Sequence, residues 1–211
     1  MSEELVTDKD NSKPTGELLL IEEGPQMRPV TRLSTSGSRG LYYITNIRGF
    51  LSVASSGLIL PGVADERLMA GLNEKCPSRL ALWNGPLPVS LLTLKDESDR
   101  LSQTVVIELN PSLLKGTRIP AITRDGEVGS GSFGRTKKDI ICLLPAGAIP
   151  IFAARRVYMS SAEDAEDLKL RVETFENTCV PDIEFASVEQ IETDGEIASD
   201  VLQSALEKIP V

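Results

Sequence analysis

Gly129-Ser130-Gly131-Ser132-Phe133-Gly134 is the segment whose composition points most openly to chemistry, because clustered glycines let backbone amides approach an anion. Arg135, Lys137 and Lys138 follow at once and favour an anionic visitor. The serines Ser90 and Ser132 are potential nucleophiles, and Glu163, Asp164, Glu166 and Asp167 offer paired carboxylates for acid and base work. The chain of 211 residues contains no histidine. That removes the commonest general base and metal ligand together with every Ser-His and Cys-His pair. Cys76, Cys142 and Cys179 are widely spaced with no C-x-x-C, so the cysteines fit a reducing compartment and no metal site. Chemistry is left to carboxylates, Lys, Arg, Tyr, Ser and Cys.

Each motif also has a plainer reading. The glycine-rich run is similar to the loop that covers ATP phosphates in protein kinases, but the lysine strand and catalytic loops of that family are missing. Only 77 residues follow Gly134, too few for a catalytic lobe, so the run reads as a loop or hairpin. No Gly-Lys-Ser/Thr phosphate loop occurs. The carboxylates from Glu163 to Asp167 fall on one polar helix, where solvation is their default.

The net charge of −9 opposes a general affinity for nucleic acid, but it is unevenly placed. Residues 161–211 hold 14 acidic and 3 basic side chains; the first 160 hold 17 and 19. A near-neutral body thus carries an acidic tail. No run reaches the roughly 18 apolar residues of a membrane helix, and the polar, acidic N-terminus is unlike a secretory signal. A soluble, cytoplasmic protein is expected.

The elements that must position these residues are short and mixed. Leu18 to Ile21 is a short apolar run compatible with a strand. Leu41 to Thr45 is a β-branched and aromatic strand, Asn46 caps a helix with Ile47, Phe50, Leu51 and Ala54 on one face, and Gly57 ends it. Asp65 to Lys75 reads as a helix, Pro77 to Leu94 as irregular extended chain, and Thr104 to Leu109 as a strand. Pro111 opens a helix, Arg118 to Lys138 is a long basic loop, and Ile140–Leu144 and Ile149–Met159 are strands. Ser160 caps a helix reaching about Asn177, Asp182 to Val188 is extended, and a last helix spans about 194–208. The expected organisation is a disordered leader over residues 1–15, an α+β domain over 16–159 and an acidic helical C-terminal extension over 160–211. Without regular βαβ alternation, α+β is the fold class.

The run LYYITNIRGFLSVASSGLILP from Leu41 to Pro61 resembles the opening of the DarT-type ADP-ribosyltransferases, where a strand reading Y-H-I-T enters a helix that ends in a Gly-Leu stop. Trp83 to Leu92, Thr104 to Leu114, and Ile140 to Leu144 with Ala148-Ile149-Pro150 are similar to later stretches of that family, in order. The resemblance implies a mixed, mostly antiparallel sheet with short helices and a cleft for NAD. It also implies two vacancies: Tyr43 stands where the family has its histidine and Ile141 where it has its glutamate. Asp139, Glu127 and Arg39 are the substitutes if the register differs. The implied protein is a non-catalytic binding or regulatory module with no cofactor, NAD being bound only if an atypical active site exists. Its partner is a protein, or a nucleic acid held by Arg118, Arg124, Arg135, Lys137, Lys138 and the ring of Trp83. An active transferase, and an assembly subunit docking through the acidic tail, are the alternatives.

Overall fold

A computed structural model describes residues 40–61, 77–92, 99–114, 118–132, 140–174, 179–180, 182–193 and 199–209. The leader, the apolar run at Leu18, the helix expected over Asp65 to Lys75, and Arg39, Cys76, Arg135, Lys137, Lys138 and Asp139 lie outside the described residues.

The start of the domain follows from local rules. Strand β1 (Leu41–Asn46) is buried on both faces, which suits its aromatic and β-branched residues. Asn46 ends it with extended backbone, and its side chain accepts the Gly49 N–H at 2.8 Å, capping α1 (Ile47–Ser56). Ile47, Phe50, Val53 and Ala54 form the buried face. Gly57 stops the helix at φ 74°, a conformation that costs a residue with a Cβ, and its N–H donates to Val53 O at 2.9 Å. Replacing Asn46 by alanine is expected to lower stability by about 1 kcal/mol in a urea titration, with the slope unchanged.

The remaining elements are β2 (Leu58–Ile59), β3 (Leu82–Asn84), α2 (Val89–Leu92), β4 (Thr104–Leu109), β5 (Arg118–Thr123), β6 (Val128–Ser132), β7 (Ile140–Leu143), β8 (Ile149–Pro150), β9 (Ala154–Met159), α3 (Ala162–Glu173), β10 (Glu184–Ser187) and α4 (Ser199–Glu207). Eight strands form one sheet in the order β10-β9-β4-β1-β3-β7-β5-β6, and β2 pairs with β8 in a small second sheet. Only the β9–β10 pairing is parallel, so the sheet is mixed and mostly antiparallel, and the class is α+β.

Two cores lie on the two faces of the large sheet. Leu41, Tyr43, Leu82, Ile107 and Leu143 pack with Phe50 of α1 and Leu168 of α3. Tyr42, Trp83, Val106, Cys142 and Tyr158 pack with Leu91 of α2 and Leu206 near the end of α4. The acidic C-terminal region therefore supplies an edge strand and helices with residues in both cores.

Several local expectations change. Arg118 to Ser132 is a hairpin and not a loop: β5 and β6 pair from Arg118–Ser132 to Ile122–Val128. The stretch Ile149–Met159 is broken by a 3₁₀ turn at Ile151–Ala153, and Pro111–Leu114 is also 3₁₀. The cap of α3 is Ser161, one residue later than expected, accepting from Asp164 N–H at 3.1 Å. Ser160 instead donates its hydroxyl to the Asp164 carboxylate at 2.6 Å.

Candidate functional site

Tyr43 is wholly buried in the first core. Its antiparallel partner on β4 is Ile107, and the pairs Leu41–Asn84 and Tyr42–Trp83 put Leu82 next to it on β3. Its hydroxyl has no hydrogen-bond partner among the described residues, and burial raises its pKa far above the ordinary phenol value. The ring thus fills an apolar slot and carries an unpaired donor, a group that costs about 1–3 kcal/mol when buried. Tyr43→Phe should accordingly raise stability, by about 1 kcal/mol in chemical denaturation.

Ile141 does not face Tyr43. Strand β3 lies between their two strands, and the β5–β7 ladder shifts register between Ile122–Cys142 and Thr123–Ile140, leaving Ile141 at the irregularity. Ile141 packs with Cys142 in the second core, whereas Ile140 shares the first core with Tyr43. Tyr43 and Ile141 thus lie on different faces of the sheet, because the bulge turns Ile141 to the other side. The β7 residues on the Tyr43 side, Ile140 and Leu143, are also aliphatic. Asn84 on β3 is a buried polar side chain, and it donates from Nδ2 to Ile140 O at 2.8 Å.

The proposed substitutes and binding residues are dispersed. Glu127 is exposed at the hairpin turn, its N–H donating to Thr123 Oγ1 at 3.1 Å. Four strand steps separate β6 from β1, about 19 Å, so Glu127 cannot serve a group bound at Tyr43. Arg118 and Arg124 are exposed at the two ends of the β5 region. Trp83 is 2 % exposed between Tyr42 and Cys142, so it is a core residue and leaves the binding set. Burial pushes the Cys142 thiol up to about 12, which removes it as a nucleophile. Iodoacetamide at pH 8 is expected to label exposed Cys179 and spare Cys142 in the folded protein, as read by peptide mass mapping.

Three carboxylates of α3 are occupied locally. Asp167 pairs with Arg171 at 2.8 Å, Glu166 with Lys169 at 3.8 Å, and Asp164 accepts from both Ser160 and Ser161. A cavity of about 360 Å³ lies beside them, lined by Ile47, Arg100, Gln103, Glu163 and Leu168 among others. Its carboxylates belong to the solvated face of α3, and Arg100 comes from the 3₁₀ turn Arg100–Ser102.

One constellation was not legible strand by strand. Trp83, Tyr42, Glu108, Arg156 and Glu184 are consecutive cross-strand partners, a row across β3, β1, β4, β9 and β10. Arg156 Nε donates to Glu184 at 2.7 Å, and Tyr158 OH donates to Glu108 at 2.6 Å. The Tyr42 and Tyr158 rings meet edge to face with centroids 6.5 Å apart. Burial, and then the charges of Glu108 and Glu192, push the Tyr42 phenol up to about 12. Burial and the bond to Glu108 raise Tyr158 as well, while Glu184 and Tyr158 hold Arg156 in its charged form. Both phenols stay protonated near neutral pH, so the row can orient and recognise groups but cannot take up protons as a phenolate base. Its sequence signal was a few charged residues, Glu108, Arg156 and Glu184, within otherwise largely apolar strands, which gain meaning only once the register is known.

No metal-holding group of three or more His, Cys, Asp or Glu occurs among the described residues, and no helix there is long and apolar enough to cross a membrane. No family model and no curated protein matches the sequence. Solved structures do match. DarT from Thermus sp. 2.9 in complex with ADP-ribosylated ssDNA aligns at 11 % identity over 78 % of this chain and 96 % of that one, with a TM-score of 0.50. DarTG from Thermosipho africanus in complex with ADP-ribose aligns at 16 % identity over 69 % of this chain with a TM-score of 0.48, and the present chain spans 50 % of that protein. At these identities the likeness concerns architecture alone. The chain has the fold of the DarT-type ADP-ribosyltransferases.

Proposed function

We propose that this chain is a non-catalytic binding or regulatory module on an ADP-ribosyltransferase-like scaffold, acting in the cytoplasm through a protein or nucleic-acid partner. The observation that carries the reading is Tyr43: a fully buried ring between Ile107 and Leu82, with an unpaired hydroxyl, at the position where the resemblance expects a histidine. A phenol so buried offers no base near neutral pH, and neither Ile140 nor Ile141 on β7 can stabilise an oxocarbenium-like transition state. Loss of one transition-state electrostatic group alone costs about 10²-fold or more in rate. A nucleic-acid partner would meet the exposed Arg118 and Arg124, and Arg135, Lys137 and Lys138, close by in sequence, are the further basic candidates. The Thermus DarT relative, whose structure holds ADP-ribosylated ssDNA, supports that version of the partner.

Thermal unfolding with and without NAD tests the reading. A site with millimolar or tighter affinity raises the midpoint as ligand exceeds Kd. The expected result is an unchanged midpoint up to about 10 mM NAD; a saturable rise would count against the proposal.

A further inference from the structure

The cavity of about 360 Å³ beside α3 has a second wall, formed by the 3₁₀ turn Arg100–Ser102 and by Gln103 after it. Ile47 and Leu168, both buried in the first core, give the cavity an apolar base, and exposed Leu170 stands at its rim. The volume lies at the small end of the range for small-molecule sites, about 300–1,000 Å³.

The turn is held in place by bonds that leave its polar side chains spare. Asp99 caps it, accepting from the Leu101 N–H at 2.9 Å and from the Ser102 hydroxyl at 3.0 Å, and pairs with Arg48 of α1 at 3.6 Å. Ile47 N–H donates to Gln103 O at 3.1 Å, which ties the end of the turn to the start of α1. The backbone that carries Arg100 and Gln103 is thus fixed to the domain, while their side chains are engaged by none of these bonds.

Most of the other charges in the lining are already satisfied. Asp164 accepts from Ser160 and Ser161, Asp167 pairs with Arg171, and Glu166 pairs with Lys169. Among the described residues the side chains of Arg100, Gln103 and Glu163 have no ion pair and no hydrogen bond, and all three line this cavity. They amount to one spare guanidinium, one spare carboxylate and one amide that can both donate and accept. An organic phosphate would face four carboxylates against two arginines in this lining. A simple cation would leave Arg100 unused. A zwitterion satisfies both spare charges at once.

We infer that this cavity is a binding site for a free α-amino acid with an apolar side chain. Its carboxylate lies on the Arg100 guanidinium, its ammonium on the Glu163 carboxylate, and its side chain against Ile47, Leu168 and Leu170. The site adds a small-molecule ligand to the chain and does not rest on the proposed function.

Nuclear magnetic resonance titration of the ¹⁵N-labelled full chain with L-leucine and L-phenylalanine tests it. Saturable shifts at the Ile47, Gln103 and Leu168 amides are expected, with a Kd of about 1 mM or tighter. 4-Methylpentanoate is leucine without the ammonium and 3-methylbutylamine is leucine without the carboxylate; each should bind at least about fivefold more weakly than leucine. Two variants separate the contacts. Arg100→Gln should weaken leucine and 4-methylpentanoate at least about fivefold and leave the amine unchanged, whereas Glu163→Gln should weaken leucine and the amine and leave the acid unchanged. Both residues are exposed, so both variants should keep the parent's melting point. Absence of saturation up to about 20 mM of either amino acid, or shifts confined to residues outside the lining, would overturn the inference. So would an amine or acid comparator that binds as tightly as leucine, or a variant with unchanged leucine affinity. The comparators act on the unaltered chain, so they decide even if a variant fails to fold. The NAD titration is a separate readout, and failure of one reading leaves the other standing.

Discussion

Ile141→Glu, which introduces at that position the residue type used by the enzymes whose fold this chain shares, should cost about 3–5 kcal/mol of stability at pH 7.5. Ile141 is 6 % exposed and shares a buried apolar cluster with Cys142, Trp83 and Ile122, so a carboxylate there is taken out of water into apolar surroundings. The effect depends on pH in a definite direction. Burial raises the folded-state pKa of the new carboxyl above its unfolded value of about 4.3. The penalty is therefore smallest below pH 4, where both states are neutral, and grows as pH rises and the unfolded state alone ionises. Urea titrations at pH 3.5 and 7.5 check this. A variant as stable as the parent at pH 7.5 would mean that the position opens onto a solvated cleft.

Removal of residues 161–211 should abolish cooperative folding. The acidity of this region suggests an extension that could be cut away from an intact body, but Leu168, Val172 and Ile183 sit in one core and Ile191, Leu206 and Ile209 in the other. Each such side chain contributes about 1.5–3 kcal/mol on burial, against a total stability of about 5–15 kcal/mol. Truncation would also strip β10 from the edge of β9. The expected outcome is loss of near-ultraviolet circular dichroism and of the thermal transition. A truncated chain that still melts cooperatively would make the acidic region an appendage after all.

The contrast between these two regions shows what could be seen before the fold. The opening β1–α1–β2 was legible because its punctuation is local: Asn46 caps, Gly57 stops, and a four-residue apolar face lies between them. Thr104 to Leu109 was legible for the same reason, as a β-branched run closed by Asn-Pro. The β5–β6 hairpin was legible only as an alternative to a loop, since glycine and serine have little intrinsic strand preference and the pairing of β6 to β5, itself paired to β7, is what holds them extended. Nor could the face of Ile141 be known, because one irregularity in the β5–β7 ladder inverts an alternation that a sequence suggests is regular. The Tyr42–Glu108–Arg156–Glu184 row was hidden more deeply, because it exists only as a register shared by four strands. Trp83 was misleading in the ordinary way of large rings, whose usefulness in a core equals their usefulness on a binding surface.

The proposed function is that the scaffold binds a partner but performs no transfer. Incubation of the purified chain with NAD labelled in the adenylate moiety, together with single-stranded DNA, RNA and protein acceptors, tests it most directly. The account predicts no labelled acceptor and no release of nicotinamide above the uncatalysed background. Labelled product that disappears in Glu127→Ala or Asp139→Ala would contradict it and make the protein an active ADP-ribosyltransferase with an atypical site.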